Sequence, residues 1–157
     1  MKFSDQDLRL IREIQQDASL SLGELAERTG MAQSTVWRRL QDFGASGLIR
    51  KRVALLDPAK AGCKLCVLAS VSLRDHTEEA VSAFASLVGR HPEIMECHAV
   101  SGAADYIMKV RVEDVEAYER FMTHNLLRSP YVRSVVSSFS LKEIKCSTEL
   151  PVVDLPG

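Results

Sequence analysis

Two clusters of residues have types and spacings that can do chemistry. The first is Gln33-Ser34-Thr35 with Trp37, Arg38 and Arg39 close behind. Amide and hydroxyl side chains both donate and accept hydrogen bonds, which suits base edges, and guanidinium groups suit phosphates. Arg50 opens a further basic run. Residues 31–52 hold Arg38, Arg39, Arg50, Lys51 and Arg52 against Asp42 alone, net +4, on a chain whose total is −1. A basic stripe on an otherwise acidic chain is an electrostatic footprint for one face only. A solvated helix face followed by a basic turn carries the same charge, so charge alone does not decide the matter.

The second cluster is Ser101-Gly-Ala-Ala-Asp105. A free amino acid needs donors for its carboxylate and an acceptor for its ammonium. A glycine turn lets backbone N–H groups approach an anion closely. Asp105 can take the ammonium in a charge-assisted bond. Glycine and aspartate also simply close hairpins, and spacing leaves both readings open. His98, on the segment feeding this loop, reads as a partly exposed strand residue.

Other reactive residues form no such pattern. His76, His91, His98 and His124 share no spacing, and the chain contains no P-loop, no H-E-x-x-H and no G-x-S-x-G. No enzyme activity and no cofactor are expected. Cys63 and Cys66 have CxxC spacing, but a zinc site needs about four ligands and no second close pair follows. Cys66 reads as a strand-start thiol.

These clusters need elements to position them. Ser4 looks like an N-cap, with Asp5 and Asp7 in the first helical turn. Leu8, Ile11 and Ile14 recur at helical spacing. Ser21 and Glu24 fit a capping box, Leu22, Leu25 and Ala26 give the next helix its inner stripe, and Gly30 supplies its stop. A third helix follows from about Ala32. At about 100° per residue its inner face holds Val36, Leu40 and Phe43. Ser34, Arg38 and Gln41 point away from that face, and Trp37 sits at its flank. Gly47 should end the helix, with Leu48 and Ile49 packing back. A short helix, a glycine turn and a helix with polar residues at its start make a helix-turn-helix, whose second helix enters the major groove.

Arg50–Leu56 reads as a short strand within a linker, and Asp57-Pro58 as a turn. Beyond it the rhythm changes. Strands are expected at Cys66–Leu73, Ile94–Ser101, Tyr106–Arg111 and Val132–Ile144, and helices at Thr77–Arg90 and Asp114–Leu127. The order βαββαβ is the ferredoxin-like arrangement. Two helices cover one face of its sheet, and a second copy is the simplest cover for the other. The expected domains are a helix-turn-helix over 1–52, a linker strand over 53–65, and a ferredoxin-like effector-binding and oligomerisation domain over 66–157. The fold class is α+β. Met1 to Asp17 is charged and periodic, unlike a signal peptide, and no apolar run reaches about 18 residues. A cytoplasmic location without membrane association is expected.

In this order the chain resembles the Lrp/AsnC family of leucine-responsive-type transcription regulators. The carrying residues are Asp5-Gln-Asp-Leu-Arg-Leu-Ile, Leu25-Ala-Glu-Arg-Thr-Gly30, Ser34-Thr-Val-Trp-Arg-Arg-Leu40 and Gly47-Leu-Ile-Arg. Further on come Leu56-Asp-Pro, Ser101-Gly-Ala-Ala-Asp-Tyr106 and Thr148-Glu-Leu-Pro151. The resemblance implies a winged helix-turn-helix that binds double-stranded DNA, joined to an amino-acid-sensing domain. It implies homodimers that assemble to tetramers or octamers. It implies effector binding at Ser101, Gly102, Ala104 and Asp105, near a contact between dimers, with Ser138, Phe139 and Ser140 lining the same pocket. The small residues there point to a small or aliphatic amino acid. Two departures stand out: Ala32 where the family often has serine, and Gly44 within the recognition helix. The competing reading is a ferredoxin-like metabolite sensor whose N-terminal helices bind a protein partner. The net +4 of residues 31–52 argues against it.

Overall fold

The computed structural model describes residues 3–152. The outermost residues of the expected domains, 1–2 and 153–157, lie outside them. The chain packs as two units. One contains residues up to Ala54 and those from Ile144 onward, and the other runs from Leu55 to Glu143. The segment after Glu143, expected with the second domain, is thus grouped with the first.

The first unit holds α1 (Asp5–Gln16), α2 (Leu22–Thr29) and α3 (Gln33–Ala45). Two capping boxes start the first two helices. The Ser4 hydroxyl accepts the Asp7 N–H, and the Asp7 carboxylate accepts the Ser4 N–H. Ser21 and Glu24 do the same for α2. Each satisfies N–H groups that a helix start leaves without partners. Gly30 ends α2 at φ +68°, and Gln6 Nε2 donates to its carbonyl at 3.0 Å, so α1 braces the turn. Leu10, Ile11, Leu25, Ala26, Val36, Leu40 and Phe43 form the core. Ile49 packs against it, whereas Leu48 is exposed.

Arg50–Leu56 forms no strand. Val53, Leu55 and Leu56 are exposed, and a strand exists only where a neighbour completes its ladder. The β-forming composition of this segment is therefore not enough to make one in the single chain.

The second unit is a four-stranded antiparallel sheet in the order β2-β3-β1-β4. The strands are β1 (Leu65–Leu73), β2 (Ile94–Ala99), β3 (Tyr106–Val112) and β4 (Val132–Phe139), with α4 (Glu78–Arg90) and α5 (Val115–Phe121). Val67, Ala69, Val71 and Leu73 alternate onto the helix side, where they join Phe84, Met108, Val110, Tyr118 and Phe121 in one core. On the other face Ser70 pairs with Ile107 and with Val136. Ile107, Val136 and the neighbouring Leu68 are exposed there.

Two expected elements stop well short of their patterns, and the strand expected over Ile94–Ser101 ends two residues early, at Ala99. The helix expected over Asp114–Leu127 is α-helical only to Phe121, and Met122–Leu126 continue as a π-turn. The wider turn seats both Met122 and Leu126 in the core. The last strand stops at Phe139 instead of reaching Ile144. Ser140 N–H already bonds to Cys66, and β1 begins at Leu65, so the neighbour has run out. No helix among the described residues is long and apolar enough to cross a membrane.

Candidate functional site

The helix α3 carries most of the first cluster. Val36, Leu40 and Phe43 are buried and fix its rotation about its own axis. That rotation leaves Gln33, Ser34, Trp37 and Arg38 exposed, with Thr35 half-buried. Trp37 is 56% exposed, unusual for so large an apolar ring unless a partner covers it. Arg50 is exposed on the chain that leaves the unit. Ala32 is the N-cap of α3, and no side chain caps the helix. No side chain therefore covers the start of the helix, a feature that suits phosphate.

The two adjacent arginines differ. Arg38 faces outward. Arg39 Nε lies 2.9 Å from Asp7 Oδ1, with Arg39 27% exposed and Asp7 fully buried. The N–H is not aimed closely enough for a hydrogen bond, so the pairing is chiefly Coulombic. Asp7 Oδ2 is already engaged by the Ser4 N–H and hydroxyl. Arg39 therefore ties α3 to α1, a use that helical spacing could not reveal because its partner lies 32 residues earlier.

The second cluster is built differently. Ser101 and Gly102 are exposed in the loop between β2 and β3. Gly102 has φ +141°, where side chains are strained. Val100 N–H bonds to the Asp105 carbonyl, and Asp105 N–H to the Val71 carbonyl. Both carboxylate oxygens of Asp105 have partners. Oδ2 accepts the Leu73 N–H at 2.7 Å, and His76 Nε2 lies 2.8 Å from Oδ1. The His76 contact and then the Leu73 N–H hold the Asp105 carboxyl below the usual carboxylate range, with Arg133 adding a small charge effect. Asp105 thus joins two loops at one end of the sheet. His76 had no spacing to mark it; only the fold sets it beside Asp105.

Ser138, Phe139 and Ser140 lie elsewhere. Phe139 pairs with Val67, and Ser138 with Leu68, whereas Asp105 bonds at Val71 and Leu73. Between Val71 and Cys66 the strand rises roughly 17 Å at its ordinary spacing. Alternation divides the trio as well. Phe139 packs edge-on against Tyr118 at 5.6 Å, on the helix-covered side, while Ser138 lies opposite Leu68 on the uncovered side. One chain does not bring these residues to the 101–105 loop. Ala104 is half-buried within that loop.

A cavity of about 520 Å³ opens elsewhere in the second unit, lined by Cys63, Glu93, Arg111, Arg120, His124 and Asn125 among others. It contains none of the residues expected to hold an effector. Among the described residues no three His, Cys, Asp or Glu side chains converge as a metal site. Cys66 stands near the start of β1, half-buried.

Comparison with known proteins covers both units. Residues 3–50 match a winged helix-turn-helix DNA-binding model, and residues 66–150 match the Lrp/AsnC ligand-binding domain. The DNA-binding transcriptional activator DecR of Escherichia coli is 34% identical over 146 residues, 93% of this chain and 96% of that protein. The glutamate uptake regulatory protein of Zymomonas mobilis is 32% identical over 151 residues, 96% of this chain and 92% of that one. A transcriptional regulator of Neisseria meningitidis, solved as a complex with L-methionine, superposes with a TM-score of 0.93. It is 32% identical, covering 96% of this chain and 97% of the other. DecR and the Neisseria protein are transcription regulators. The chain belongs to the Lrp/AsnC family of transcription regulators, with a DNA-binding helix-turn-helix ahead of an Lrp/AsnC ligand-binding domain.

Proposed function

We propose that this regulator reads DNA through α3 and that a free amino acid, held at the loop Ser101–Asp105, changes how it does so. The observation that carries the first half is the exposed row Gln33, Ser34, Trp37 and Arg38 on a helix whose opposite side is locked into the core. Gln33, Ser34 and Thr35 face base edges, Trp37 contacts a base or sugar, and Arg38 and Arg50 meet phosphates. Arg39 supports the helix through Asp7 and reaches phosphate with its remaining N–H groups. A gel-shift titration against salt tests this. Affinity for a two-fold-related duplex should fall steeply as salt rises, through counterion release, and Gln33→Ala should alter preference among sequences.

The effector is a small or aliphatic amino acid. Support comes from the L-methionine bound to the Neisseria relative and from the small residues of the loop. The site is completed between copies of the chain, because Ser101–Asp105 and Ser138–Ser140 are apart within one copy. The exposed patch of Leu68, Ile107 and Val136 supports homodimerisation through the uncovered sheet face, with further assembly to tetramers or octamers. The protein acts in the cytoplasm, without catalysis and without a cofactor. Screening the twenty amino acids by melting temperature tests the sensing half, since a ligand of the native state raises the midpoint with its concentration. A flat response to all twenty would remove it.

A further inference from the structure

One run of the sequence, Thr148-Glu-Leu-Pro151, lies outside both clusters. It sits in the segment after Glu143 that packs with the DNA-binding unit. Its partner is the outward side of α1. Gln15 reads the backbone of Leu150 in both directions, with Oε1 accepting the Leu150 N–H at 2.8 Å and Nε2 donating to the Leu150 carbonyl at 3.3 Å. This is the pairing a neighbouring strand would offer. Arg12 Nη2 donates to the Val152 carbonyl at 3.1 Å, and Gln16 Nε2 to the Glu149 carboxylate at 3.2 Å. Arg12, Gln15 and Gln16 stand three and four residues apart, hence on one side of the helix. Val152 packs against the helical core. Pro151 has no N–H to satisfy, and Val152 N–H turns back to the Leu150 carbonyl.

The effector unit is therefore an insertion. The chain leaves the DNA-binding unit after Ala54 and re-enters it at Ile144. The outgoing connection, residues 50–56, is exposed and has no regular structure, so alone it transmits little. The returning connection is anchored on α1, which also holds α3 through Asp7 and Arg39 and braces the turn between α2 and α3 through Gln6. We propose that the Arg12/Gln15/Gln16 side of α1 is a docking site for the chain's own residues 149–152. Through it, the state of the effector unit is passed to the recognition helix. The coupling half rests on the effector-responsive reading given above; the docking half does not.

The test uses the full chain, the Arg12→Ala/Gln15→Ala double variant, and a second variant ending at Ser147 that leaves α1 untouched. Hydrogen exchange of the Leu150 amide reads docking in the wild type and in the double variant. DNA affinity with and without L-methionine, and with the other nineteen amino acids, reads coupling. The wild-type Leu150 amide should be protected, and the double variant should exchange at least tenfold faster. Both variants should bind DNA without amino acid to within about twofold of wild type, bind the amino acid as before, and lose its effect on DNA affinity. An unprotected Leu150 amide in the wild type overturns the docking. Loss of docking with the amino-acid effect intact overturns the coupling. A wild type whose DNA affinity ignores all twenty amino acids overturns the effector reading and the coupling with it, while the exchange result still judges the docking.

Discussion

The recognition helix and the effector loop were marked by equally short runs of sequence, yet they end up in different situations. On α3 the candidate residues from Gln33 to Arg38 share a single helix, and burial of Val36, Leu40 and Phe43 orients them all at once. In the sheet, Ser101–Asp105 and Ser138–Ser140 are more than thirty positions apart in sequence and meet opposite ends of β1. A site carried by one helix is complete when the helix packs. On the function proposed above, a site distributed over strand ends is complete only when assembly supplies the other half.

The sharpest way to break this contrast is to prevent assembly. Val136→Asp puts a charge in the middle of the uncovered apolar face. It should leave a monomer at micromolar concentration by light scattering and lower amino-acid affinity by more than about a hundredfold, roughly 3 kcal/mol. The helical signature of the first unit should not change. A monomer that binds the amino acid as the wild type does would place the whole pocket within one chain.

Asp105 tests the loop itself. Asp105→Ala should abolish the amino-acid effect on DNA affinity while DNA binding without amino acid stays nearly intact, as titration calorimetry paired with gel shifts would read. The carboxyl is held below its ordinary range by His76 and the Leu73 N–H. Its contacts therefore add stability that is complete above its unfolded pKa, about 3.9, and lost as pH falls through the lower folded value. Melting temperatures of the wild type and Asp105→Asn should differ at pH 7, begin to approach each other near pH 4, and converge only once pH has fallen through the lower folded value. A gap that persists in acid would mean that the carboxylate charge is not what the contacts need.

On the helix, the arginine pair separates stability from binding. Arg39→Ala leaves the Asp7 carboxylate buried without its cation and should cost about 2–3 kcal/mol in urea unfolding. Arg38→Ala should change stability by less than about 0.5 kcal/mol. It should weaken all duplexes alike and reduce the salt slope by about one. Equal destabilisation by both would refute the division of labour. The smallest effects concern the ends of α3. Ala32→Ser supplies the missing cap and should stabilise by about 1 kcal/mol. Gly44→Ala should do about the same, since its added Cβ meets nothing within 4 Å. Neither should alter amino-acid binding, which separates the two units once more.

Local interactions explain why so much was legible in advance. Ser4 with Asp7 and Ser21 with Glu24 act across three residues, and Gly30 acts on its own φ. The period of two along β1 and of 3.6 along α4 records which side faces a core. Such features were readable together with the βαββαβ order, and most of the exposed row on α3 followed from them. What the tertiary structure decided involves partners far apart in the chain. Arg39 proved to be paired with Asp7, and His76 with Asp105. The segment Arg50–Leu56 found no neighbouring strand, and β4 ended where β1 ran out of backbone. The Thr148–Pro151 run gains a partner only through the fold, which sets Gln15, some 135 residues earlier, against Leu150. Sequence patterns record which side of an element seeks burial; which distant group arrives there is fixed only when the elements pack.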